Sequence, residues 1–376
     1  MRFPGFTDEW RDSCLLSDCD INPKSSNLED KFVYLDLESV EKGELRKYKI
    51  IERLDAPSRA QRVLSNNDVL FQCVRPYQQN NYLYRADNSR LQWVASTGYA
   101  QLRVKNSSPE FIYHLLSTQS FTKKVIVRCT GSNYPAINSE DLSTIHYQTC
   151  SLPEQKKIAN FLTLLDERIA TQNKIIEDLK KLKSAIIDRL YSEVKGESYM
   201  YSDLFTVVTE RNNKRLYNKV IAASQEFGMV ERETLNLKVQ FDEESINTYK
   251  IINSGDYVIH LRSFQGGFAF SRLQGICSPA YIILRPNEQL EYSFFENYFT
   301  SSKFINSLRL VTYGIRDGRS INVEEWLSMK VTLPSKDEQK RIIQTIQSIQ
   351  NKLINEIGIL SKLESQRRYL LQTMFI

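Results

Sequence analysis

Histidine and cysteine are scarce in this chain, three and six among 376 residues. The cysteines (Cys14, Cys19, Cys73, Cys129, Cys150 and Cys277) lie far apart, and none falls in a C-x-x-C pair. No zinc-ligand spacing can be assembled from so few residues, and no metal site is expected. Isolated cysteines in a long chain read as reduced packing residues of a cytoplasmic protein rather than a disulfide framework. No run approaches the eighteen or so apolar residues of a helical membrane span. The opening Met1-Arg-Phe-Pro-Gly-Phe6 also lacks the apolar core of a signal peptide. Charge of one sign is missing too: 50 Lys+Arg against 45 Asp+Glu leaves +5. Residues 1–150 hold 19 basic against 18 acidic residues, and residues 196–333 hold 15 against 16. A surface for a polyanion must therefore be a local cluster of cations.

Enzyme signatures are absent as well. There is no P-loop, G-x-S-x-G, H-E-x-x-H or G-x-G-x-x-G. Asn22-Pro-Lys24 lacks the second proline and aromatic with which amino-methyltransferases hold a flipped base. Ser263-Phe-Gln-Gly-Gly267 has no adjacent Lys-Ser/Thr and reads as a turn that lets backbone approach closely. The expectation is a chain without catalytic residues.

What is present is an internal repeat. Ser151-Leu-Pro-Glu-Gln-Lys-Lys-Ile158 recurs as Ser335-Lys-Asp-Glu-Gln-Lys-Arg-Ile342, an offset of 184 that holds without a gap to the C-terminus. Upstream, Pro135-Ala-Ile-Asn-Ser-Glu-Asp141 faces Arg319-Ser-Ile-Asn-Val-Glu-Glu325, and Leu64-Ser-Asn-Asn-Asp-Val69 resembles Ile252-Asn-Ser-Gly-Asp-Tyr257. The chain thus reads as two copies of a globular segment followed by a long helix. Ser151 and Ser335 are N-cap candidates, with Glu154 and Glu338 placed for a reciprocal capping box. One apolar series runs Ile158, Leu162, Leu165, Ile169, Ile176, Leu179, Ile186, Leu190. The other runs Ile342, Ile346, Ile349, Leu353, Leu360, Leu363, Leu370, Met374. Steps of four and three make each a coiled-coil seam, interrupted at equivalent places by Gln172 and Glu356, and by Lys183 and Arg367. Matched interruptions predict that the two helices pack on one another. Gly196 suits the stop of the first.

The globular segments read as mixed α and β. Strand-like runs include Phe32–Leu35, Val69–Val74 and Tyr99–Val104, then Tyr257–Leu261, Tyr281–Arg285 and Met329–Leu333. Helical stretches follow near Pro109–Lys124 and Tyr292–Leu308. Polar loops after the strands offer groups that read base edges, because Arg suits guanine O6/N7 and Asn or Gln suits adenine N6/N7. These candidates are Arg75, Tyr77, Gln78 and Gln79 in one loop and Asn133 and Tyr134 in another. The second copy offers Arg262, Ser263 and Gln265, with Arg316 and Arg319.

Taken together, this architecture resembles the DNA specificity subunit of Type I restriction-modification systems. The resemblance rests on Arg2-Phe-Pro-Gly-Phe6…Trp10, Leu152-Pro-Glu-Gln-Lys-Lys-Ile158-Ala159, Ala95-Ser-Thr-Gly98 and Asp256-Tyr-Val-Ile-His-Leu-Arg-Ser-Phe-Gln-Gly-Gly267. It covers essentially the whole chain; Ser335-Lys-Asp337 departs from the family's Pro-rich approach to the second helix. It implies an α+β protein with two target recognition domains, residues 1–150 and 196–333. Spacer helices at 151–195 and 334–376 would form an antiparallel coiled coil. Each domain would read half of a split, asymmetric site in double-stranded DNA, and the helices would dock two methyltransferase (modification) subunits. Those partners would carry S-adenosylmethionine, restriction subunits would add ATP- and Mg-dependent chemistry, and this chain would hold no cofactor. A pseudo-dyad across the duplex, as in dimeric repressors, is what turns one helix antiparallel to the other. About 38 residues at roughly 1.5 Å each give a rod near 57 Å. At about 3.4 Å per base pair that bounds the half-site separation near 17 base pairs. The rival expectation is a non-enzymatic coiled-coil scaffold with two globular heads, which would need no divergence between them.

Overall fold

The computed structural model describes residues 2–86, 90–224, 228–235, 243–260, 267–313 and 320–375. Among these no helix is long and apolar enough to cross a membrane. The chain divides into two compact units, Met1–Asn173 with Gly358–Ile376, and Lys174–Ile357. Each is built to the same plan.

In the first unit the strand Arg11–Cys14 pairs antiparallel with His146–Thr149, directly before the first long helix. A single helical turn, Leu15–Asp18, leads to the strand Cys19–Ile21. That strand edges a four-stranded sheet continued by Tyr99–Val104, Val69–Gln72 and Tyr82–Leu83. A second four-stranded sheet runs Lys49–Glu52, Lys31–Leu35, Gln92–Ser96, Ala60–Val63, and its middle pair is parallel. Val69–Gln72 is buried along its whole length because alternate side chains serve two cores. Val69 and Phe71 join Phe111, Leu115 and Phe121 of the helices Pro109–Leu116 and Gln119–Arg128, whereas Leu70 packs with Val33, Leu35 and Trp93.

The second unit repeats this order. Glu197–Met200 pairs with Lys330–Leu333, a turn of helix spans Tyr201–Leu204, and a sheet runs Phe205–Val208, Ile282–Pro286, Tyr257–Ile259, Phe268–Phe270. Its core is aromatic, with Trp326 fully buried and stacked on Tyr201 at 4.3 Å. Matching polar contacts confirm the repeat. Arg103 grips the buried Asp68 through two bonds of 3.0 and 2.9 Å, as Arg285 grips the buried Asp256 at 2.9 and 2.9 Å. Asn67 and Gly255, one residue earlier, share a left-handed backbone (φ 70° and 98°), so a residue tolerant of that region is needed at this turn. Asn138 and Asn322 each cap a short helix, accepting from the backbone N–H of Asp141 and Glu325.

The long helices span Leu152–Ser192 and Lys336–Thr373. In the first unit Leu363, Leu370 and Met374 share a core with Ile158, Leu162 and Leu165, and Arg367 is held by Asp166. In the second, Ile187 and Tyr191 share a core with Ile342 and Ile346, and Lys183 donates to Gln350 at 2.7 Å. Asp166 and Gln350 are repeat counterparts, as are Lys183 and Arg367. Each pair is therefore the image of the other, which is the register of an antiparallel coiled coil. Of the remaining seam residues Ile176 and Leu353 are buried, while Ile169, Leu179, Ile186, Leu190, Ile349 and Leu360 are half-buried. Toward the end of the first helix Ile187 and Tyr191 lie deepest, one position past the heptad reading. A straight helix drifts about 20° per heptad, and the Tyr191 hydroxyl is drawn to the Phe294 carbonyl at 2.5 Å.

Two local readings are corrected. The first helix ends at Ser192, so Gly196 is not its stop; a Cβ there would sit 2.0 Å from the Leu333 carbonyl oxygen, and the close approach is why glycine is needed. The capping boxes are not reciprocal. Ser335 accepts from the Glu338 N–H at 3.4 Å, but the Glu338 carboxylate turns to Arg341 and that of Glu154 to Arg2. A charged donor outcompetes a neutral backbone amide for a carboxylate.

Candidate nucleic-acid interface

The buried Gln72 organises the loop that follows its strand. Its side-chain amide donates to the Val74 carbonyl at 2.8 Å and to Gln78 at 2.9 Å, and its oxygen accepts from the Asn80 N–H at 3.1 Å. Its own backbone N–H donates to the Asn81 side chain at 3.0 Å. The loop closes through a 3-10 turn, Pro76–Gln78, flanked by Arg75 and Gln79 in the left-handed region (φ 53° and 54°). Non-glycine residues rest there only when their surroundings enforce it.

A second loop lies against the first. Thr130 and Ala136 exchange two backbone bonds of 2.9 Å, and the Arg75 N–H donates to the Pro135 carbonyl at 2.8 Å. The Arg75 guanidinium consequently sits 4.4 Å over the Tyr134 ring, and its Nε meets no acceptor among the described residues. Tyr77 and Tyr134 are more than half exposed, and Asn133 is exposed beside Tyr134.

Arg75, Gln78 and Tyr134 line one side of a cleft of about 890 Å³. Arg46, Lys47 and Arg59 line it too, and their partners separate them. Arg46 is paired with Glu41 and Glu44, and Lys47 with Glu38. Among the described residues Arg59 and Arg75 have no carboxylate partner, so they carry the cleft's uncompensated charge. Arg59 escaped the sequence reading, and only its neighbourhood reveals it. Its carbonyl accepts from Thr97 at 2.9 Å, and Gly98 in turn accepts from the Cys73 N–H at 3.0 Å. The Ala95–Gly98 turn thus draws the two arginine loops together. Gln79 points elsewhere, donating to Thr122 at 2.7 Å.

In the second unit Arg262, Ser263, Gln265, Arg316 and Arg319 lie outside the described residues. Their flanks are ordered alike: His260 donates to the Gly267 carbonyl at 2.8 Å beyond the hairpin of Tyr257–Ile259 and Phe268–Phe270, and Thr312–Tyr313 pairs with Ser320–Ile321. The first of these hairpins occupies the same place in the repeat as the strands bracketing the Arg75 loop.

Among the described residues no cluster of three or more His, Cys, Asp or Glu could hold a metal. All six cysteines are free, and burial pushes the Cys19, Cys73, Cys150 and Cys277 thiols up to about 12, far from a nucleophilic thiolate.

The model of the Type I restriction modification DNA specificity domain family matches the chain twice, over residues 20–181 and 194–365. The chain is 25% identical over 294 residues to the Type I restriction enzyme MjaVIII specificity subunit of Methanocaldococcus jannaschii, spanning 69% of this chain and 68% of that one. Among solved structures, its fold is shared by a chain from work on complex assembly and conformational transition of the type I R-M system (TM-score 0.61, 20% identity, 99% of this chain and 98% of that one). It is shared as well by the Type I restriction-modification system S subunit from M. genitalium (TM-score 0.55, 15% identity, 98% and 96%). Two copies of one fold, each matched by the same family model, show that the chain belongs to the Type I restriction-modification DNA specificity family, as its non-catalytic specificity subunit.

Proposed function

We propose that residues 1–150 and 196–333 are two readers, each recognising one half of a bipartite, asymmetric site in double-stranded DNA. The paired helices, 151–195 and 334–376, space the readers and dock two methyltransferase subunits. S-adenosylmethionine belongs to those partners, and ATP and Mg to restriction subunits of the full complex, in the cytoplasm. The observation that carries this reading is the first unit's cleft, where Arg59 and Arg75 have no carboxylate partner among the described residues and Arg75 is stacked on Tyr134. A guanidinium held in place presents a fixed fork for guanine O6/N7, and an exposed tyrosine face suits sugar or base. In the second unit the counterpart is assigned to Arg262, Ser263, Gln265, Arg316 and Arg319.

The test is a domain exchange. Replacing residues 1–150 with those of a relative, in cells carrying the matching modification subunit, should change one half of the methylated sequence. The other half and the spacer should be retained. An unchanged site would refute the two-reader assignment. The chain by itself, free of partners, should neither methylate nor cut DNA when given S-adenosylmethionine, ATP and Mg.

A further inference from the structure

A side-chain amide donates at one end and accepts at the other, and the partners it serves decide which end is left over. In the first unit's cleft that choice is made by backbone groups, which have no such freedom. The Asn80 N–H can only donate, so at 3.1 Å it fixes Gln72 Oε1 on its side. The Val74 carbonyl can only accept, so at 2.8 Å it fixes Gln72 Nε2 on the other. Gln72 is 2% exposed, and turning its amide over would set oxygen against the Val74 carbonyl and NH2 against the Asn80 N–H. Gln72 Nε2 also meets the Gln78 side chain at 2.9 Å; a donor there demands an oxygen, so Gln78 Oε1 faces inward and its Nε2 is left over. Asn80 is oriented in the same way, because the Lys42 N–H takes its Oδ1 at 3.0 Å and leaves Nδ2. Gln78 and Asn80 both line the cleft, and neither leftover NH2 has an acceptor among the described residues.

The cleft's other available groups have the same sense. The guanidinium groups of Arg59 and Arg75 carry donors and no acceptor. The carboxylates that line it, Glu38 and Glu41, are held by Lys47 and Arg46. The polar side chains left for a base therefore donate, apart from the Tyr134 hydroxyl, which can do either. In the major groove guanine offers two adjacent acceptors, N7 and O6, and thymine a lone O4 beside its methyl group. Adenine sets an N6 donor beside N7, and cytosine presents an N4 donor. We propose that the first unit's cleft is a guanine reader, in which Gln78 selects guanine through Nε2 and rejects adenine and cytosine because Gln72 withholds its oxygen. On the two-reader function proposed above, on which this rests, Gln78 departs from what its residue type suggests. Glutamine reads adenine only with both ends of its amide available.

The substitution that tests this is Gln78→Glu. One carboxylate oxygen still accepts from Gln72, so the loop keeps its inner bond, while the outward donor becomes an acceptor. The chain, assembled with its modification subunits, is titrated with duplexes carrying the wild-type methylated sequence, varied one base pair at a time. The wild type should require guanine at a position in the half changed by exchanging residues 1–150. Replacing that guanine with 7-deazaguanine, which lacks the N7 acceptor, should weaken wild-type binding at least fivefold. In Gln78→Glu the preference for guanine over cytosine there should fall at least tenfold, with the other half-site read as before. A wild-type protein indifferent to 7-deazaguanine throughout that half would overturn the guanine reader, whatever becomes of the variant. Unchanged base preferences in Gln78→Glu, or a loss spread evenly over all sequences, would overturn the role of Gln78. If the exchange alters neither half, the proposed function fails, and the same two titrations across the whole methylated site still decide what the cleft reads.

Discussion

Gln155 and Gln339 sit at equivalent places in the repeat, each 1% exposed, and their replacement tests how the long helices are fastened to the globular parts. Gln155 accepts from the Ser108 N–H at 2.9 Å and donates to Thr149 Oγ1 at 2.9 Å and the Cys150 carbonyl at 3.0 Å. Gln339 accepts from the Glu291 N–H at 2.8 Å and donates to the Gln289 and Pro334 carbonyls at 3.1 and 3.0 Å. Leucine fits the volume but satisfies none of these groups. Orphaning a buried backbone group costs about 1–3 kcal/mol. Gln155→Leu strands two of them, since the Thr149 hydroxyl can turn away; Gln339→Leu strands one, the Pro334 carbonyl, because water can reach the part-buried Glu291 N–H and the carbonyl of the exposed Gln289. With about 1 kcal/mol regained from the added apolar surface, the expected losses are about 3 and about 1 kcal/mol. The first is a large share of a domain's typical 5–15 kcal/mol. Hydrogen exchange read by mass spectrometry resolves the two units separately. Gln155→Leu should lower protection in the first, and Gln339→Leu should lower it less in the second. A loss below about 1 kcal/mol in Gln155→Leu would refute the reasoning.

Leu363 is 9% exposed in the first unit's core, while Leu179 is half-buried. Burying an unpaired carboxylate costs several kcal/mol, so Leu363→Asp should lower the thermal midpoint more than Leu179→Asp, and the double variant should lose partner assembly. Arg75→Ala should cost about 1–3 kcal/mol at particular positions of the DNA site if its contact is bidentate to a base. A loss spread evenly over sequences, with a shallower salt dependence, would make it a phosphate contact. His114 is 1% exposed, its Nε2 lies 3.1 Å from Thr163 Oγ1, and burial holds its pKa down to about 4 from 6.5. The unfolded chain therefore binds the extra proton first, and stability present above pH 6.5 is lost as pH falls toward 4. That loss is about 3 kcal/mol. A urea-unfolding series across this range should be flatter for His114→Gln, and identical slopes would refute the assignment.

The repeat, the two long helices with their heptad seams and several of the inner strands were legible because each rests on local chemistry: periods of 3.5 and 2, and an undisturbed offset of 184. The matched polar interruptions Lys183 and Arg367 became equivalent cross-helix contacts, with Gln350 and Asp166, partners that only the structure names. The Glu-Gln pair of the helix opening was visible as a motif, yet its task was not. A capping box is a local contact, whereas Gln155 reaches back to Ser108, 47 residues away, and Glu154 to Arg2, 152 residues away.

The candidate interface divides along the same line. Residue type alone nominated Arg75, Tyr77, Gln78 and Tyr134, and Gln79 with them. Tertiary structure turned Gln79 to Thr122 and brought Arg59 in from another loop. Residues 1–150 are nearly neutral, and the first unit's cleft is lined by four cations of similar appearance in the sequence. Folding pairs Arg46 and Lys47 with glutamates and leaves Arg59 and Arg75 without a carboxylate among the described residues. A cation's availability depends on which carboxylate lies within about 4 Å of it, and only the packing of distant segments sets that distance. The sequence determined the elements and their repetition, which follow from neighbours along the chain. Which charges remain for a partner was decided by neighbours in space.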